Sequence, residues 1–265
     1  MAKRFSEILS QSWAEYKSNF KLIFKVFFIL YIIPSLAVSL FSMYGLSGVN
    51  EKLSAIITTK GVSATVAIEA IKEIIISEGP ILVAFAVLIL ISAILGFIMS
   101  VTLINFSFSL SLRKKQSKLA TSGQAIKAAS KYLGKYILLI IAVSLALMIL
   151  YLLFIIPGII FTIYWIFAAY ILVGENAGII ESIKRSKAVV KGRWWRVFGY
   201  YLLFLLVFVG ISLLFLIPGS ILRAIFQSTI IYDIFSLASY TITVPLGILF
   251  LKNFYLDLKA NLRKK

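Results

Sequence analysis

"YILLIIAVSLALMILYLLFIIPGIIFTIYWIFAAYILVG", residues 136–174, runs for 39 positions without one Asp, Glu, Lys or Arg. At 1.5 Å rise per residue, about 20 residues cross a hydrocarbon core about 30 Å thick. The stretch is therefore too long for one spanning helix and suits two. "IIPGII" at 155–160 supplies a turn, because proline lacks a backbone donor and glycine accepts the left-handed conformation that ends helices. The reading is a tight hairpin of two spans, 136–156 and 159–174, hinged at Pro157 and Gly158.

The rest of the chain repeats this signal. Charges are also absent from 26–50, 81–112, 197–222 and 234–251. Only 14% of the residues are charged, where about 25% is usual, and 61% are hydrophobic. The mean hydropathy of +1.02 belongs to a chain dissolved in lipid. "GP" at 79–80 is expected to open the second span, and "LIPGSI" at 216–221 to end the fifth through Pro218 and Gly219. The prediction is an all-α, polytopic transmembrane helical bundle, one integral membrane domain over 1–265. Its spans lie near 20–43, 81–112, 136–156, 159–174, 197–217 and 234–251. Lys21 and Lys25 before the run from Val26, with "AVS" at 37–39, loosely resemble a signal peptide. The polar segment before them is long and recurs later, so that run is read as the first span.

Orientation follows the bias of Lys and Arg toward cytoplasmic loops. With both termini inside, segments 1–25, 113–135, 175–196 and 252–265 hold 23 of the 27 basic residues. Acidic residues divide evenly, five to each side. The net charge of +17 thus reflects a positive-inside topology in the cytoplasmic (inner) membrane of a prokaryote. A nucleic-acid surface would need an exposed basic domain, and no polar segment is long enough to form one.

Three basic segments share one layout. "SEILSQSWAEYKSNFKLIF" (6–24), "QAIKAASKYLGKYILLI" (124–140) and "ESIKRSKAVVKGRWWRVF" (181–198) each place a small residue three positions after an apolar one. The pairs are Leu9 and Ser12, Ile126 and Ala129, and Ile183 and Ser186. Basic and aromatic residues follow, then a span that later meets Pro34, Pro157 or Pro218. In helical projection Lys127, Lys131 and Lys135 oppose Ile126, Ala129, Leu133 and Tyr136. Phe5, Leu9, Trp13, Tyr16 and Phe20 form a stripe opposite Glu7, Ser10, Gln11 and Ser18. Ile179, Ile183, Val190 and Trp194 oppose Lys184, Arg185 and Arg196. A basic face backed by an apolar, aromatic one is the pattern of a helix lying in the membrane interface, where Trp and Tyr sit at headgroup level. The expected partners are anionic headgroups. The candidate contacts are Lys127, Lys131, Lys135, Lys184, Arg185, Lys191, Arg193, Trp194, Trp195 and Arg196. The plainer alternative is that these segments only anchor topology.

The outer segment 44–80 carries "VSATVAIEAIKEIIISEGP", with Glu69, Lys72 and Glu73 opposite Ala67, Ile71, Ile74 and Ile75. It reads as an amphipathic helix that either connects two spans or caps a cavity. No Cys and no His occur, which excludes disulfides, thiol nucleophiles, His-ligated metals and His-based acid–base chemistry. Ionisable residues inside a bundle usually mark enzymes and proton-coupled carriers. Here Glu175, Asp233 and Arg223 fall at helix ends, and the central polar residues are mild, such as Asn105 and Gln227. Glu175 with Asn176 is a candidate polar anchor for the basic helix that follows. No metal site, cofactor or catalytic group is expected.

The segment 155–203, with Pro157, Gly158, Glu175, Ser182, Ser186, Gly192, Arg193, Trp194 and Trp195, resembles the membrane domain found with some bacterial glycerophosphoryl diester phosphodiesterases and the related YciC-type inner-membrane proteins. The match is strong over about a fifth of the chain and otherwise one of layout. The resemblance implies an architecture and not a reaction, since the phosphodiesterase chemistry belongs to a separate soluble metal-dependent domain. The expectation is a non-enzymatic integral membrane protein that interacts with lipid, organises the membrane or supports a partner. The alternative is a small permease for a lipidic or apolar substrate, with a polar cavity lined by Asn105, Gln227 and Ser/Thr side chains. An intramembrane enzyme would need Glu175, Asp233 and Asp257 to converge.

Overall fold

The computed structural model describes residues 2–58, 63–112 and 122–262, with no strand among them. Among the described residues, six helical segments are long and apolar enough to cross a membrane: Phe20–Gly45, Ala64–Ser111, Gly123–Leu153, Ile155–Glu175, Trp194–Phe226 and Thr229–Leu262. The chain forms two compact units, residues 28–96 and the remainder, and the boundary falls within one long helix between Gly96 and Phe97.

The smaller unit begins with a π-helical turn, Phe28–Ile32, ahead of a short helix Ile33–Leu40 that carries Pro34 in its first turn. A proline in a helix removes one i→i−4 bond, and a π turn is a common way to absorb that loss. A second π turn, Phe41–Gly45, leads into helix Ser47–Thr58. Leu46, Val49 and Ile74 form a small core with Phe41, Ile56, Leu82 and Phe85 around it. Phe41 stacks on Phe85 with centroids 5.7 Å apart, and Lys52 pairs with Glu78 at 2.6 Å. Of the apolar face expected over 67–75, only Ile74 is buried; Ile71 and Ile75 are exposed. "GP" at 79–80 does not separate two elements. Pro80 sits inside the unbroken helix Ala64–Leu112, and Gly79 before it has no Cβ to clash with the proline ring.

In the larger unit we number the helices α1 (Phe5–Ser18), α2 (Phe20–Phe27), α3 (the part of Ala64–Leu112 from Phe97), α4 (Ser122–Leu153), α5 (Ile155–Trp165), α6 (Ala168–Glu175), α7 (Ile179–Val190), α8 (Trp194–Phe226) and α9 (Thr229–Leu262). Helix α9 packs along α8 and α1 and touches α7 and α2. Its last turns are buried nearly all round, from Leu249 and Phe250 through Phe254 and Tyr255 to Leu258. Phe204 stacks on Phe250 at 4.6 Å, and Tyr200 on Phe254 at 5.1 Å. Away from this core, α4 exposes Leu138, Ile141, Leu145, Met148, Ile149 and Leu152, an apolar stripe at helical spacing. A stripe of this kind suits contact with lipid, because every backbone group behind it is bonded within the helix.

Two proline-containing turns lie elsewhere than the sequence suggests. The hairpin turns at Phe154, the one extended residue between α4 and α5. Pro157 occupies the first turn of α5, where its missing N–H had no partner to lose. Gly158 is still needed, since a Cβ there would lie 2.4 Å from the Tyr151 ring. Pro218 and Gly219 lie inside α8, which continues to Phe226 and stops at Gln227 in the left-handed conformation. Gly219 serves as a contact point, for a Cβ on it would lie 2.8 Å from Phe235 of α9. Pro245 also sits within a helix, α9. Proline cannot donate to the carbonyl four residues back, and that carbonyl, on Thr241, accepts the Tyr16 hydroxyl at 3.2 Å. Burial raises the Tyr16 phenol above its ordinary value, so it stays a donor.

Candidate functional site

The charged end of the larger unit brings together α1, α7, the start of α8 and the end of α9. The predicted tail from Lys252 is in fact the continuation of α9 to Leu262, and this places Lys252, Asn253, Asp257 and Lys259 inside the assembly.

Lys252 is fully buried. Its ammonium donates to Glu15 Oε2 at 2.8 Å and to Ser111 Oγ at 3.1 Å. Asn253 donates to Ser12 Oγ at 3.0 Å and to Glu15 Oε2 at 3.2 Å, and accepts from Gln11 Nε2 at 3.2 Å. The second Glu15 oxygen accepts from Gln11 at 3.2 Å. A buried charge is costly unless it is paired and hydrogen-bonded, and this pair is both. On another side of α9, Asp257 accepts from Arg196 at 2.9 Å, from the Lys3 backbone N–H at 3.1 Å and from Asn261 at 3.2 Å. A polar pocket of about 480 Å³ opens between these groups, lined by Lys3, Gln11, Glu15, Ser111, Asn253 and Asp257 among others. Both carboxylates in its wall already have protein donors on each oxygen. It is a clamp holding α1 against α9.

Glu175 is the third node. It closes α6, and Asn176 follows in the left-handed conformation that asparagine tolerates, turning the chain into α7. Its carboxylate accepts from Arg185 at 2.9 Å and from Tyr255 and Lys259. Arg185 also pairs with Glu181 at 2.5 Å. Glu175 is thus bonded to Arg185 of the basic helix, and Asn176 makes the turn into that helix. Asp233, Glu175 and Asp257 do not converge, because Asp233 and Asp257 are 24 residues apart on α9, about 36 Å along it.

Two of the deepest residues of α7 are serines. Ser182 and Ser186 are wholly buried, while Ile179 and Ile183 are only partly so. Ser182 donates back to the Gly178 carbonyl at 2.7 Å. Ser186 does more: it donates to the Tyr164 carbonyl at 2.7 Å and accepts the Phe167 N–H at 3.2 Å. These groups lie at the break between α5 and α6, so one hydroxyl satisfies a fourth span that the sequence presented as continuous. Ser186 is the small residue of the repeated layout, and both serines suit a close contact because they are small and carry a hydroxyl.

Gly192, at φ +78, makes the corner between α7 and α8. The turn directs Arg193 onto the last turns of α9, where it donates to the Leu258 carbonyl at 2.8 Å and the Asn261 carbonyl at 3.1 Å. A cation there complements the negative end of the helix. Arg196 adds a bond to the Lys3 carbonyl at 2.8 Å. Three of the predicted headgroup contacts, Arg185, Arg193 and Arg196, therefore have protein acceptors. The guanidinium fork suits two acceptors at once, and Arg185 and Arg193 each bridge two. Lys127, Lys131, Lys135, Lys184 and Lys191 are exposed, as is Lys187. Lys131 rests over Tyr132, 4.8 Å from the ring centroid.

Trp194 is held in place. Its indole N–H donates to the Ile160 carbonyl at 3.3 Å, and its ring stacks on Phe198 at 5.1 Å. Trp195 stands edge-on to it and is 78% exposed. Gln227 lines an open pocket of about 460 Å³ with Ser220, Arg223, Ala224 and Thr229, and Asn105 does not share it. No group of three or more His, Cys, Asp or Glu that would hold a metal ion occurs among the described residues. No family model matches the chain, and no curated protein or solved structure resembles it significantly.

Proposed function

We propose that this chain is a non-enzymatic, multi-pass protein of a prokaryotic cytoplasmic membrane, with both termini inside, that gathers anionic lipids at its charged end. It would thereby organise the surrounding membrane or support a partner there. The observation that carries this reading is the division of labour among the cations. Arg185, Arg193 and Arg196 bind protein acceptors, whereas Lys127, Lys131, Lys135, Lys184, Lys187 and Lys191 are exposed, the first three on α4, which continues into an exposed apolar stripe. A lysine near an anionic leaflet contributes about 1 kcal/mol, so six of them give a strong preference for such lipids. On this reading the resemblance to the membrane domain of the phosphodiesterases is one of architecture.

Native mass spectrometry of the protein, released from mixed vesicles of phosphatidylglycerol and phosphatidylcholine, tests the reading. The expected spectrum shows phosphatidylglycerol retained in excess of its share in the vesicle, with the excess lost when the six lysines are changed to Gln. Retention in proportion to the mixture would overturn it. So would impermeant labelling of residues 175–196 from the external side.

A further inference from the structure

Two hollows meet at the tryptophan pair. One, of about 460 Å³, is lined by Ile156, Ile159, Ile160, Tyr164, Trp194 and Trp195, with almost no polar surface. The other, of about 530 Å³, is lined by Gly192, Arg193, Trp194, Trp195 and Arg196. We infer that these two hollows form a seat for one anionic phospholipid, its acyl chain along the isoleucines and its phosphate at the Gly192–Arg196 turn. This rests on the lipid-gathering reading above and narrows it to one place and one ligand.

The chemistry of the walls supports this division. A guanidinium has five N–H donors. Arg193 directs two at α9, and Arg196 uses one nitrogen for both of its bonds, so each retains N–H groups for a phosphate. Lys191, immediately before Gly192, is exposed and adds a mobile charge. At the other hollow, the Lys187 ammonium stands 5.7 Å from the centroid of Tyr164, one of the wall residues. Cationic groups thus border the apolar hollow where a headgroup would leave it. The seat is preformed, because Trp194 is fixed by its bond to Ile160 and its stack on Phe198. A preformed site loses little conformational freedom on binding. Free phosphate would use only the cationic half and leave the isoleucine-lined hollow empty, and so we assign the seat to a lipid of the surrounding leaflet.

Two of the four tryptophans form the seat, which makes it directly observable. The full chain, carrying Trp13→Phe and Trp165→Phe, is reconstituted in phosphatidylcholine vesicles. Phosphatidylglycerol with brominated acyl chains is then added in increasing proportion while tryptophan emission is read. The seat predicts half-maximal quenching at a roughly tenfold lower mole fraction than for brominated phosphatidylcholine, the size expected of one to two added cation–phosphate contacts. Lys187→Gln with Lys191→Gln should remove most of that difference. Ile156→Phe with Ile159→Phe, which fills the apolar hollow, should reduce the quenching by both lipids. Equal quenching by the two lipids would overturn the seat, even where mass spectrometry still finds phosphatidylglycerol enriched, which would keep the broader reading. Relief of quenching by inorganic phosphate at low millimolar concentration would overturn the assignment to a lipid.

Discussion

The three basic segments begin from nearly the same pattern and end as two different objects. In the second copy, α4 runs from Ser122 straight through Gly134 into its span, and its lysines stay outside. Ala125, Ala129, Tyr132 and Tyr136 turn inward at spacings of four, three and four, as an amphipathic helix should. The first and third copies are separate short helices, broken from their spans at Asn19 and at Lys191–Arg193. Detached, they dock by polar contacts: Ser12 and Glu15 onto α9, Ser186 into the gap in the fourth span, and Arg185 onto Glu175. In these two copies the break between amphipathic segment and span lets side chains turn back onto the protein, whereas the lysines of the continuous α4 face outward.

This contrast can be broken most severely at Lys252. Lys252→Ala leaves Glu15 without its buried cation and should cost about 3–5 kcal/mol, the usual penalty for removing one partner of a buried pair. Thermal unfolding in detergent would report it, and Lys252→Met with Glu15→Leu should recover most of the loss. A variant as stable as the parent would mean that α1 is not held by this pair. Ser186→Ala comes next, because it leaves the buried Phe167 N–H without an acceptor, at about 1–3 kcal/mol. The equivalent change in the second copy cannot be made, since Ala129 already stands there.

Gly192→Ala forces a side chain into the left-handed region and should destabilise by about 1–2 kcal/mol. Gly134→Ala should do the opposite, by about 0.5–1 kcal/mol, for Gly134 is mid-helix with open space around it. Opposite signs from two glycines in related segments would be the sharpest confirmation of the contrast; equal signs would remove it. Tyr16→Phe should have a smaller effect, about 1 kcal/mol, by leaving the Thr241 carbonyl freed by Pro245 without its donor.

Much of the fold was legible because lipid imposes a simple rule. Charge-free runs of the right length announce helices, and six were read where six occur. Pro80 and Pro218 misled, because their sequence context predicts helix ends. In this chain Pro80, Pro218 and Pro245 lie within helices, and neighbours such as Tyr16 satisfy what a proline releases. The charged end was half legible. Position at the end of the short fourth span singled out Glu175, and periodicity placed the lysines of α4 outside. It also sent Arg185, Arg193 and Arg196 to the lipid and left Lys252 in a tail, because hydropathy treats every cation as a group seeking water.

Sequence alone determined that this chain is helical, that it has six segments able to cross a membrane, and where its positive charge concentrates. These follow from composition and spacing along one dimension, where the cost of exposing backbone or charge to hydrocarbon leaves few alternatives. Only the tertiary structure decided which cations pair with carboxylates and carbonyls of the protein. That choice depends on whether a carboxylate or an unpaired carbonyl on a distant helix lies within about 3 Å, a distance that no pattern along the chain encodes.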